Sequence, residues 1–179
     1  MDWLLFLYQL PSNPSSLRVA SWRKMRGSGA LGLQNSTWIL PYTPENERFL
    51  LELLTNIRQQ DANAQIFRVL PLKKSAEQDL LMRFQIERDQ EYSELCERCR
   101  ECLAEIEKET KKEKFTFAEL EEIEDNLEKL KIWLKKIQTR DFSKASKADE
   151  SIDMINQCQS AFIQFSQAVY AHESISDEN

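Results

Sequence analysis

Apolar residues follow two different rhythms along the 179-residue chain, and the rhythm changes near Ser75. Before that point they come in runs of strand length, separated by short helical patterns. "WLLFLYQL" (Trp3–Leu10) is continuous and stops at Pro11, as a strand buried on both faces would. "PSNPSS" predicts a turn with Ser15 or Ser16 as a helix N-cap, and "SLRVASWRKMR" predicts an amphipathic helix running into a glycine-rich loop. "ALGL", the polar "QNS" and "TWILPY" form a hairpin pattern whose first strand is short. Thr43 followed by Pro44 opens a second helix to about Gln60, with Phe49, Leu50, Leu53, Leu54 and Ile57 on its apolar side. "QIFRVLPL" closes the region as a last strand.

After Ser75 the steps become three and four residues. "SAEQ" is a capping box pairing Ser75 with Gln78, and it opens a helix from about Ala76 to Lys111. "TFAE", Thr116 with Glu119, opens a second helix to about Thr139. Its Leu120, Ile123, Leu127, Leu130, Leu134 and Ile137 make a heptad seam that buries only against other helices. The polar "RDFSKASKADES" links it to a third helix, about Ser151 to His172, and the acidic end of the chain is expected to be disordered. The predicted fold class is therefore α+β. A ferredoxin-like βαββαβ domain, 1–74, precedes a mostly antiparallel bundle of about three helices, 75–173, and a tail, 174–179.

Charge sharpens this division. The net charge of −6 is uneven: residues 1–74 carry nine Lys and Arg against five Asp and Glu, and the remainder carries fifteen against twenty-five. Arg18, Arg23, Lys24 and Arg26 cluster on the first predicted helix, with Lys73 and Lys74 beyond the last strand. Such groups suit phosphate-backbone contact, but no recognition-helix signature accompanies them, so an ordinary solvated surface is the first expectation and nucleic-acid contact the alternative. No apolar run approaches the roughly 20 residues needed to cross a bilayer. Trp3–Leu10 lacks a basic flank and a small-residue cleavage site, so a strand is expected there rather than a signal peptide. Four cysteines without an export signal point to reduced thiols in the cytoplasm.

"CERCREC" places Cys96, Cys99 and Cys102 three residues apart. Steps of three turn a helix by about 300°, so Cys96 and Cys102 diverge by roughly 120° and one metal ion does not easily reach all three. Cys99 and Cys102 continue the apolar seam of Tyr92, Leu95 and Ile106, so core packing is the first expectation and thiol redox chemistry the alternative. "GSGALG" matches the dinucleotide fingerprint only as letters. A helix precedes it and a strand follows, the reverse of what aims a helix N-terminus at a pyrophosphate, so a C-cap and turn are expected. His172 is the single histidine, and the acidic "ELEEIEDNLE" falls mainly outside its seam. No catalytic residue, metal site or cofactor is expected from these patterns.

"WLLFLYQLP", "LRVASWRKM", "STWILPYTPEN" and "KFTFAELEEIEDNLEKLKIWLKKIQTRDF" together resemble the N-terminal region of the chromate-resistance protein ChrB, over about Trp3 to Tyr170. The last stretch, with its capped start and "RDF" ending, is the most specific. In that family ChrB is a chromate-responsive regulator of a chromate-efflux operon. The resemblance implies a non-enzymatic regulatory or accessory role. Larger members of the family continue into a C-terminal domain, so a partner carrying that domain is expected. The first 74 residues also resemble the ferredoxin-like domain of PaaX-type repressors and of small CRISPR-associated nucleases. Those nucleases place an Asp at the end of the first strand, where this chain reads Tyr8-Gln9-Leu10 and offers no carboxylate for a metal. A catalytically degenerate nucleic-acid binder and a thiol redox protein are the competing readings. A homodimer is expected through an open sheet face and the stripe of Leu80, Leu81 and Phe84, with weak DNA contact and no membrane partner.

Overall fold

The computed structural model describes residues 1–11 and 15–176. It is a mixed α and β structure with the order β1 (Trp3–Gln9), α1 (Ser15–Gly27), β2 (Leu31–Gln34), β3 (Thr37–Pro41), α2 (Pro44–Arg58), β4 (Asn63–Val69), α3 (Lys74–Lys111), α4 (Phe117–Gln138) and α5 (Ala148–Ser176). Two compact units divide between Phe84 and Gln85.

In the first unit the strands form one sheet in the order β2-β3-β1-β4. All three pairings are antiparallel: Trp3–Leu7 opposes Pro41–Thr37, Trp3–Gln9 opposes Val69–Asn63, and the β2–β3 ladder carries an irregularity between Gly32 and Gln34. The central position of β1 fits its unbroken apolar run: side chains alternate between faces, one burying Leu4 and Phe6 and the other burying Trp3 while Leu5 and Leu7 stay half-buried. Leu4, Phe6 and Leu40 are buried, as are Met25 of α1 and Leu50, Leu53 and Ile57 of α2. Trp3 points to the other face, where it stacks on Phe84 of α3 at 5.6 Å between ring centroids. Thus the sheet of the same chain covers Phe84, while Leu80 and Leu81 stay half-buried.

Local signals explain the ends of these elements. Thr43 is the N-cap of α2, with its hydroxyl accepting from the Asn46 N–H at 3.1 Å and Pro44 in the first turn. At the end of α1, Gly29 adopts φ 79°; its N–H donates to Arg26 O, and the Ala30 N–H to Met25 O, both at 3.1 Å. That is a Schellman cap, the role expected of the "GSGALG" glycines. The same bond pattern closes α3 without glycine: Glu113 (φ 53°) donates to Thr110 O and Lys114 to Glu109 O. A left-handed residue with a Cβ costs about 1–2 kcal/mol. Glu113→Gly should therefore raise stability by about 0.5–1 kcal/mol, readable as a higher midpoint in guanidinium denaturation.

Some expected boundaries move. Helix α3 begins at Lys74, one residue before the expected cap Ser75, and the Lys73 carbonyl accepts from Ala76 N–H and Glu77 N–H. Helix α5 starts at Ala148 and reaches Ser176, so the expected disordered tail is helical at its beginning, where the Ser174 hydroxyl donates to Tyr170 O at 2.9 Å. The rest of that tail, 177–179, and the middle of the "PSNPSS" turn, 12–14, lie outside the described residues.

In the second unit the heptad seam is the core. Leu120, Ile123, Leu127, Leu130 and Ile137 of α4 pack in one cluster with Leu95, Cys99, Cys102 and Ile106 of α3 and with Ile155, Cys158, Phe165 and Val169 of α5. Thr116 caps α4 through the Glu119 N–H as expected. Back in the first unit, an arginine holds one backbone carbonyl on each outer strand. Arg83 Nη2 donates to Gly32 O of β2 at 2.7 Å, and Arg58 Nη2 to Ala64 O of β4 at 3.0 Å.

Candidate nucleic-acid interface

Helix α1 buries only Ser21 and Met25. Nearly all of its remaining surface meets solvent, including Arg18, Arg23, Lys24 and Arg26, which the structure thus gathers on one element. Lys73 and Lys74 are also exposed but belong to the start of α3, a separate element. No Asp or Glu occurs between Asp2 and Glu45, so the four α1 cations are the only charged side chains in that whole stretch. This feature is plain in the sequence once charges are mapped by element rather than by half-chain.

Beside α1 lies a concave groove of about 790 Å³. Its helical wall is the stripe Ser15, Arg18, Val19 and Trp22, spaced as one face of a helix. The opposite wall is the β2–β3 turn, Gln34, Asn35 and Ser36, with Ser36 at φ 58°. Tyr8 and Trp38 also line it, and Trp38 Nε1 donates to the Tyr8 hydroxyl at 3.1 Å. Trp22 is 52% exposed, unusual for so large an apolar ring. Sequence patterning hid the groove, because Trp22 fits the amphipathic pattern of α1 as well as a core position would.

The "RDF" motif just after α4 proves to be a clamp within the second unit. Arg140 bonds Glu91 of α3 at 2.5 Å, and Glu91 also pairs with Arg88 at 3.3 Å. The Asp141 carboxylate accepts from the Ser143 N–H at 3.3 Å, the Ala145 N–H at 3.0 Å and the Tyr92 hydroxyl at 3.4 Å. Asp89 accepts the Lys147 N–H at 2.9 Å and the Ser146 hydroxyl at 3.1 Å. The loop from Asp141 to Lys147 is thereby pinned to α3.

A family model described as "Protein ChrB, N-terminal" matches residues 18–176, which takes in α1 from Arg18 on, the sheet strands after it and the whole clamp. The chain belongs to the ChrB N-terminal family. Membership relates it to chromate resistance. No curated protein and no solved structure matches the chain.

In this ChrB N-terminal chain, Cys96, Cys99 and Cys102 are all buried, joined by Cys158 of α5. Cys96, which the seam of Cys99 and Cys102 does not include, lies 3.3 Å from the Ser151 hydroxyl. The Cys158 thiol donates to Cys99 O at 3.4 Å. Hydrogen bonds with Cys102 and Cys99, together with burial, push the Cys158 thiol well above the ordinary thiol range, and the same bonds draw Cys99 and Cys102 downward. Cys158 escaped the sequence reading because 56 residues separate it from Cys102. Among the described residues no group of three or more His, Cys, Asp or Glu side chains is placed to hold a metal ion.

The clamp also predicts a pH response. Burial, then the Asp141 charge, pushes the Tyr92 phenol up to about 12. An unfolded tyrosine ionises near pH 10, so the folded state keeps a proton that the unfolded state loses. This contribution is complete below about pH 10 and disappears as pH rises through 12. Melting temperatures from pH 8 to 12 should fall less steeply at the top of that range in Tyr92→Phe than in the parent; parallel curves would refute the assignment.

Proposed function

We propose that this chain is a non-enzymatic regulatory or accessory protein of chromate resistance that meets nucleic acid weakly, through α1. The observation that carries the contact is the acid-free stretch from Trp3 to Pro44, with Arg18, Arg23, Lys24 and Arg26 displayed on an exposed helix. Lys73 and Lys74 extend this cationic set. The strand order β2-β3-β1-β4 with two intervening helices supports a ferredoxin-like first domain. Contacts of Tyr92 with Asp141 and of Phe117 with Tyr170 support an antiparallel arrangement in the helical domain. At the end of β1, Tyr8 and Gln9 supply no carboxylate, which supports a scaffold without nuclease chemistry.

Further parts of this reading are a cytoplasmic location and a homodimer. Among the described residues no helix is long and apolar enough to cross a membrane. The net charge of −6 opposes tight binding to phosphate backbones by one copy alone. Titration of the promoter upstream of its own gene at about 0.15 M salt should give weak, sequence-independent binding. Its log–log salt slope should be no steeper than about −5.4, set by at most six contacts of about −0.9 each. Charge reversal at Arg23 and Lys24 should flatten the slope. Nanomolar binding that discriminates against unrelated DNA would overturn the accessory reading and make the chain a complete regulator.

A second reading, thiol redox chemistry, rests on the meeting of Cys158 with Cys99 and Cys102. Their burial, at no more than 1% exposure, favours packing instead. A thiol reagent should label all four cysteines slowly in the folded protein and quickly after unfolding. One fast thiol in the native state would turn the choice toward redox function.

A further inference from the structure

We propose that the groove between α1 and the β2–β3 turn binds a segment of single-stranded nucleic acid, with one base stacked on Trp22 and the adjoining phosphates on Arg18 and Arg26. The proposal rests on the reading that α1 meets nucleic acid, and it names the form of nucleic acid and the seat of the base.

Three observations converge on it. Trp22 presents half of its surface on a helix where Val19 is the other exposed large apolar side chain, and a flat indole is a platform for any base. Arg18, Trp22 and Arg26 follow each other at intervals of four residues, so cations stand about 6 Å to either side of the ring along the helix axis. The facing wall carries the side chains of Gln34, Asn35 and Ser36, which can donate to and accept from the edge of a base once it has left a duplex.

The concave shape decides between single and double strands. In a duplex the base faces are occupied by their neighbours, so Trp22 would have nothing to stack on, and α1 would offer only its cations. Charge decides between a strand and a protein partner. The stripe adds only Val19 as a large exposed aliphatic group, while the segment from Trp3 to Pro44 brings four cations and no carboxylate, which suits a phosphate backbone.

The test is fluorescence anisotropy with the full chain and an end-labelled single-stranded oligothymidylate, alongside a duplex of matched length, at low and moderate salt. The single strand is expected to bind more tightly than the duplex. Trp22→Ala should weaken single-strand binding about 5- to 150-fold, the range for loss of one stacked base, with the salt slope unchanged. Trp22→Phe should recover most of the loss. Arg18→Gln should instead reduce the salt slope by about one. Circular dichroism of each variant checks that the exposed substitutions leave the fold intact. Equal affinities for parent and Trp22→Ala, or a duplex that binds more tightly whatever residue stands at 22, would overturn the stacking site and leave the proposed α1 contact standing. Failure of both forms to bind at low salt would overturn both. Light scattering in which Trp22→Ala converts a dimer to a monomer would assign the groove to a protein surface and likewise overturn the proposal.

Discussion

Trp3→Ala is expected to cost about 3–5 kcal/mol, the range for deleting a large buried aromatic side chain. Trp3 is fully buried at the start of the central strand β1, and it forms the seat on which Phe84 stacks. Removing the indole leaves a cavity with sheet on one side and helix on the other, where neither rigid element closes the gap easily. The conservative change should behave differently. The Trp3 indole N–H finds no acceptor among the described residues, so the native side chain already carries an unsatisfied buried donor. Trp3→Phe removes that donor along with part of the packing and should cost about 1 kcal/mol or less. Guanidinium denaturation of both variants measures the difference. A Trp3→Phe loss well above about 1 kcal/mol, in proportion to the volume removed, would show that packing volume alone governs the site and that the orphaned N–H costs nothing.

Asp141→Ala should destabilise the helical unit by about 2–3 kcal/mol, because one carboxylate serves two backbone N–H groups and the Tyr92 hydroxyl. Asp141→Asn keeps an acceptor oxygen in place and should lose about 1 kcal/mol, with the charge contributing the rest. The two variants separate a hydrogen-bond role from a charge role. Loss of under about 0.5 kcal/mol in Asp141→Ala would mean that water replaces the carboxylate and that the loop is held by Asp89 alone. Such an outcome is measurable in the same denaturation series.

The elements were legible where the decisive interactions are local. The β1 run, the Thr43–Pro44 helix start, the Thr116 cap and the α4 seam each depend on residues within a few positions of one another, and all appear as expected. The Leu80–Phe84 stripe is different. Its periodicity announced a need for burial, yet only folding could say that Phe84 meets Trp3, 81 residues earlier. Ser75 offered a good cap, but the helix takes in Lys74 as well, with the Lys73 carbonyl closing its first turn. Of the candidate interface, the cations were legible because charge is a property of composition. The groove was not, since its walls come from α1, β1 and the β2–β3 turn. The "RDF" motif was legible as a signature and opaque as a mechanism. Its arginine and aspartate act on residues about 50 positions away, and they act by holding a loop rather than by any chemistry.

The two arginines on the outer strands bear on how this protein behaves in a crowded cell. An exposed sheet edge is a template on which a partly unfolded neighbour can add its own strand, and repeated addition leads to aggregates. Here a strand docking on β2 must contend with the guanidinium of Arg83 at Gly32, and one docking on β4 meets Arg58 at Ala64. Each newcomer would also have to settle beside a positive charge, which β-aggregating segments tolerate poorly. The sheet therefore remains a finite object with guarded ends, and any self-association it supports is steered toward its faces and away from runaway growth along its edges.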